Sequence, residues 1–193
     1  MSGSGKHDNQ SLYSEEHHAA AARLNAAITP TRSMLFYTLT ATIPILVLSA
    51  VILFTKIRGT TLITLSLMGS ITSLIALGRI MYDLTLDIAG SPDYKLPIWA
   101  VFYMIIYVVA GFSYLYFAMH MAAPLTHFGG FNMTGARESF LDALYSSLWY
   151  YIGAAPDAAV TINTQTARML TVSQGVLSMF INVVIITKFV GTF

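Results

Sequence analysis

Four stretches of about twenty residues, each almost free of charge, constrain this chain more than any other feature. They are Met34–Thr55 (MLFYTLTATIPILVLSAVILFT), Thr60–Met81, Pro97–His120 (PIWAVFYMIIYVVAGFSYLYFAMH) and Leu170–Val190. An α-helix needs about 20 apolar residues to cross the ~30 Å hydrocarbon core of a bilayer, so each run has the length of a span. No water is available there to the backbone, and helices satisfy their N–H and C=O groups internally. Charged residues make up 10% of the 193 residues and hydrophobic ones 55%, with a mean hydropathy of +0.65. A soluble domain carries about 25% charge, so the polar surface that such a fold needs is missing. The expected fold is all-α integral membrane, multi-pass, with the lipid bilayer as its first partner.

Several function classes drop out early. A net charge of +1 offers no electrostatic footprint for nucleic acid. The chain has no cysteine, which excludes disulfides, thiolate metal sites and thiol catalysis. The five histidines, at 7, 17, 18, 120 and 127, show no metal-ligand spacing. No catalytic constellation is visible, so the chain is not expected to be an enzyme or to hold a cofactor.

The interval between the third and fourth runs carries the most information. A loop punctuated by Pro124, Gly129, Gly130 and Gly135 leads into SFLDALYSSLWYY, Ser139–Tyr151, where Phe140, Leu141, Leu144, Tyr145 and Leu148 recur at helical spacing. Thirteen residues at 1.5 Å give a helix of roughly 20 Å, only part of a bilayer's thickness. Gly153 and Pro156 then break it. A half-length helix, an irregular segment and a full span make the layout of a re-entrant pore helix and loop, the alternative being a helix lying on the interface. Within the fourth run Thr171, Gln174, Ser178 and Asn182 form one polar stripe, with Gly175 beside it as a bend. Such a stripe faces a water-lined path or hydrogen-bonds to neighbouring helices.

Two further features belong to the second run. Ser66, Gly69, Ser70 and Ser73 make a flat face for close helix contact. Arg79, Asp83 and Asp87 follow at one-turn spacing, as an ion pair at the membrane boundary or as the site of a small transporter.

The segment from Pro97 to Val190 resembles the two-helix pore domain of the potassium-channel superfamily. SFLDALYSSLWYYIG matches the pore helix and the start of the filter, Asp157 the acid after it, and TQTARMLTVSQGVLSMFINVVIITKFV the inner helix with Gly175 as hinge. The resemblance covers about half of the chain and implies that 91–193 is the pore domain; ahead of it the sequence itself gives 1–33 as a cytosolic N-terminal tail and short helix and 34–90 as a peripheral two-helix pair. The resemblance also implies a homotetramer conducting a monovalent cation, K+ or Na+, with both termini cytosolic. The filter segment would be Tyr151, Ile152, Gly153, Ala154, Ala155 and Asp157. The pore lining and hinge would be Thr171, Gln174, Gly175, Ser178 and Asn182.

The departure from the family is concentrated in the filter. The family reads Thr-Val-Gly-Tyr-Gly-Asp where this chain has Tyr151-Ile152-Gly153-Ala154-Ala155-Pro156-Asp157. Alanine does not readily take the left-handed backbone of the second glycine, so the usual row of potassium sites is not expected. The expected function is passive cation conduction through a non-standard filter, against a non-conducting four-span scaffold or the small transporter. Gating would come from the membrane, the first two spans, the N-terminal segment or a regulatory partner.

Overall fold

A computed structural model of the chain describes residues 32–55, 59–90, 98–154 and 160–190. Among the described residues five helices follow one another: α1 Arg32–Phe54, α2 Thr60–Gly90, α3 Ile98–Ala122, α4 Ala136–Tyr151 and α5 Gln165–Val190. Two short strands, β1 Phe128–Gly129 and β2 Thr161–Ile162, flank α4 and pair antiparallel. Among the described residues three helices are long and apolar enough to cross a membrane, over Thr60–Leu86, Trp99–Ala122 and Gln165–Thr187. They make this an all-α architecture of multi-pass membrane type. The apolar part of α1 that is described, Thr38–Phe54, is shorter. The helix continues through Pro44.

Helix α2 extends nine residues beyond the apolar run read from the sequence, so Asp83 and Asp87 belong to the same helix as Arg79. It packs on α3 through the small-residue face. Ser66, Ser70 and Ser73 are buried, and a Cβ on Gly69 would lie 2.9 Å from the Tyr114 ring. Gly111 answers from α3, where a Cβ would lie 3.2 Å from Leu74. Without side chains at 69 and 111 the backbones approach, which is the main packing mode of helices in lipid.

Helix α1 is tied to α3 differently, by two long arms one heptad apart. The Tyr107 hydroxyl donates to the Thr38 carbonyl at 2.9 Å and shares a 2.8 Å bond with Thr42 Oγ1. The Tyr114 hydroxyl donates to the Ile45 carbonyl at 2.9 Å and shares a 2.7 Å bond with Ser49 Oγ. Both tyrosine rings are fully buried. The same contact recurs two helical turns on because seven residues return a helix to nearly the same face.

Candidate functional site: a half-length helix ending in the middle of the bundle

The excursion that carries α4 begins and ends at one point. Phe128 pairs with Ile162 and Gly129 with Thr161. The Asn163 N–H donates to the His127 carbonyl at 3.0 Å, and Asn163 Nδ2 donates to the Leu125 carbonyl at 3.1 Å. Gly129 has no room for a side chain, since a Cβ there would collide with Thr161 Oγ1. The chain therefore leaves the end of α3 and returns to the start of α5 through a closed neck. The sequence reading had no signal for these strands: two residues each are too few to show alternation.

Beyond the neck, α4 runs back antiparallel along α3. Gly135 is its N-cap, extended at φ −178°. The Phe140 ring lies tilted against Tyr114 and edge-on against Phe117, in the second half of α3. Two turns later the Ser147 hydroxyl donates to the Val109 carbonyl at 2.9 Å, near the midpoint of α3. The helix stops at Tyr151. Its sixteen residues, against the thirteen read from the sequence, amount to about 24 Å.

Contacts with α5 give the same depth. Gln174 Nε2 donates to the Ser147 carbonyl at 2.8 Å and to Ser147 Oγ at 2.9 Å. Its Oε1 accepts from the Tyr116 hydroxyl at 2.5 Å. The Tyr151 hydroxyl donates to Asn182 Oδ1 at 3.0 Å. Gln174 and Asn182 bracket the centre of α5, so the end of α4 lies level with the middle of the helices it packs on. Arg168 and Lys188 sit twenty residues apart on α5, about 30 Å, the thickness of a hydrocarbon core.

The end of α4 has its own device. The Gly153 N–H bonds the Tyr150 carbonyl at 3.2 Å and the Ala154 N–H bonds the Trp149 carbonyl at 3.0 Å, with Ile152 as C-cap. This is a Schellman turn, whose C′ position requires a left-handed backbone. Gly153 supplies it at φ +77°. Four of the six residues expected in a filter segment thus form the last turn and cap of α4: Tyr151 buried, Ile152 and Gly153 exposed, Ala154 half-buried. The conformation of Ile152–Gly153 is that of a helix stop. Ala155 and Asp157 lie outside the described residues.

The polar stripe of α5 turns inward. Thr171, Gln174 and Ser178 are all buried in the single chain, and Asn182 is half-buried against Tyr151. Thr171 Oγ1 donates to the Arg168 carbonyl at 2.9 Å. Ser178 Oγ has no partner. Of the two readings that the stripe left open, the geometry realises interhelical hydrogen bonding at Gln174 and Asn182. Gly175 sits at the edge of this face, with open space where a Cβ would go. The sequence reading missed Tyr116 and Ser147, which complete the Gln174 network. Both look like ordinary residues of apolar helices until their partner is known.

The opposite face of α5 is apolar and exposed. Met169, Val172, Val176, Met179, Val183 and Ile186 recur at alternating three- and four-residue steps and are each at least half exposed. Leu141, Tyr145, Leu148 and Ile152 make a comparable face on α4. Arg79 and Asp83 form an i,i+4 ion pair at 3.2 Å, and the Arg79 guanidinium lies 5.5 Å from the Tyr82 ring centre. The Asp87 side chain lies outside what is described. Among the described residues no group of three or more His, Asp or Glu side chains could hold a metal ion.

Comparison of the chain with protein-family models, with curated proteins and with solved structures finds no match.

Proposed function

We propose that the chain is the subunit of an oligomeric, cation-conducting membrane protein, in which α4 is a re-entrant half-helix and the segment from Ile152 to Val160 lines the pathway. The observation that carries this reading is the depth at which α4 stops. A helix that enters beside α3 and ends at mid-bundle puts the non-helical backbone of Ile152, Gly153 and Ala154 there. Such backbone survives there only when buried in protein or bathed by a water-filled cavity. The C-terminal end of a helix carries roughly half a negative charge, which favours a cation at that point. On this reading α1 is a fourth span, held to α3 by Tyr107 and Tyr114.

The open faces support assembly around an axis. Repeats of three and four residues on α5 set an apolar seam along one side, the pattern by which like helices pack. Four copies would place four α4 ends at one cavity, with Asp157 as an acid ring, the arrangement of the potassium-channel pore domain that the sequence resembles. Gly153 acts here as a helix cap, so selectivity of the potassium type is not proposed.

A second reading rests on the buried polar stripe. With Gln174 and Asn182 engaged inside one chain, the face of α5 left for an axis is mostly apolar, its exposed hydroxyls Ser173 and Thr187 bonding back to their own helix. This also suits a scaffold that conducts nothing. The test is the oligomeric state of the purified chain in detergent. Four-fold assembly supports the pore, and a monomer or dimer removes its geometric basis.

A further inference from the structure

At the bundle end where α1 stops, α2 begins and α3 ends, a groove of about 720 Å3 opens against the start of α4. That is within the range of small-molecule sites, ~300–1,000 Å3. Its base is closed by the fully buried Ile52 and Leu62, and its open apolar wall is formed by Phe54, Met121 and Met133. Its rim is polar, with Arg137 and Glu138 from the first turn of α4. Arg137 is exposed and makes no ion pair among the described residues. Glu138 is half-buried and folds over the N-cap, where its Oε2 would stand 2.6 Å from a Cβ on Gly135. The cap glycine has no side chain to offer, and the first-turn amides of α4 have no carbonyl within the helix. His120 also lines the groove. It is 2% exposed, and its Nδ1 has no hydrogen-bond partner. A buried polar atom of this kind is costly to leave unsatisfied.

We infer that this groove holds one zwitterionic phospholipid. Its phosphate meets the Arg137 guanidinium and the first-turn amides of α4, its ammonium meets Glu138, and one acyl chain lies along Phe54, Met121 and Met133. The charges select the headgroup. A helix N-terminus and an arginine form an anion site, but the carboxylate of Glu138 beside them opposes a purely anionic lipid. A headgroup bearing both signs satisfies both residues. The site sits where the helices end, the level at which headgroups lie. It does not depend on ion conduction, and a non-conducting scaffold would bind the same lipid.

Native mass spectrometry of the full chain in detergent, titrated separately with phosphatidylethanolamine, phosphatidylglycerol and soluble phosphoethanolamine, tests it. The wild type is expected to bind phosphatidylethanolamine more tightly than phosphatidylglycerol, and phosphoethanolamine only weakly. Arg137→Gln should weaken both lipids about tenfold, the order of one charge-assisted contact, and Arg137→Lys should weaken them less. Glu138→Gln should weaken phosphatidylethanolamine alone, so that its advantage over phosphatidylglycerol disappears. If Arg137→Gln does not keep the wild-type thermal transition, the Glu138→Gln lipid ratio decides by itself. The proposal is overturned if the wild type prefers phosphatidylglycerol, if phosphoethanolamine binds as well as the whole lipid, or if Glu138→Gln leaves the ratio unchanged.

Discussion

Gln174 Nε2 donates to both the carbonyl and the hydroxyl of Ser147, at 2.8 and 2.9 Å, and so fixes the half-length helix α4 against the middle of α5. Because Gln174 Oε1 also accepts from Tyr116, one fully buried side chain joins three helices. Gln174→Leu would leave the Tyr116 hydroxyl without its acceptor in an apolar setting, at about 1–3 kcal/mol, while the Ser147 hydroxyl keeps the Val109 carbonyl. The thermal midpoint in detergent should fall by several degrees. Ser178→Ala is the control on the same face: its hydroxyl has no partner to lose, so the midpoint should stay or rise slightly.

The tyrosine arms between α1 and α3 make a paired prediction. Tyr107→Phe and Tyr114→Phe keep the buried rings and remove the hydroxyls that reach Thr38 and Ile45. Each should cost about 0.5–1.5 kcal/mol, with membrane hydrogen bonds towards the lower end. Since the two sites are about 10 Å apart along α3, the double variant should show the sum of the two losses. A loss much larger than the sum in denaturation experiments would mean that α1 detaches as a unit once both arms are gone.

Two helix glycines should respond in opposite directions. Gly69→Ala pushes a methyl group to 2.9 Å from the Tyr114 ring, which cannot move without disturbing its bonds to Ile45 and Ser49. Overpacking of this kind costs about 1–3 kcal/mol. At Gly175 there is open space, and alanine is the better helix former by up to ~1 kcal/mol. Gly175→Ala should therefore be neutral or stabilising in the same unfolding assay. A marked loss of stability there would point to a bend that the helix needs.

How much of this was legible beforehand varied with the physics behind each element. The apolar runs marked the helices because a bilayer demands uninterrupted length, and the small-residue spacing of Ser66, Gly69, Ser70 and Ser73 marked the α2–α3 contact. The half-length helix was legible for the same reason: Phe140 to Leu148 keep a helical period that Gly153 ends. The direction of the polar stripe was not. A buried and a pore-facing glutamine have the same spacing, and only the positions of Tyr116 and Ser147 on other helices separate them. The role of Gly153 was hidden in a similar way, because a filter glycine and a helix-capping glycine both exploit the same backbone freedom.

The cap at Gly153 offers a way to separate stability from conduction. A Cβ there meets open space, so Gly153→Ala pays only for a left-handed backbone, about 1–2 kcal/mol. Asn, which tolerates that conformation better, should cost less. If the loop after Gly153 lines a pathway, both variants should change conductance or ion preference by more than their thermal shift suggests.

Since the chain has no cysteine, single cysteines can be read without background. Ile152→Cys, at the end of α4 and 59% exposed, should react with a small cationic thiol reagent added in water. Met179→Cys, on the seam of α5, should form cross-links between copies under oxidation. Labelling of Ile152→Cys by lipid-soluble reagents alone would place that position against hydrocarbon.

The central claim is that the loop at the end of α4 forms part of a cation pathway. Current through planar bilayers containing the purified chain measures this most directly, scanned over voltage, pH and monovalent ions. The account predicts a cation-selective current whose selectivity falls in Asp157→Asn. Silence under every condition, from protein shown to be assembled and inserted, would contradict it and leave the scaffold reading in its place.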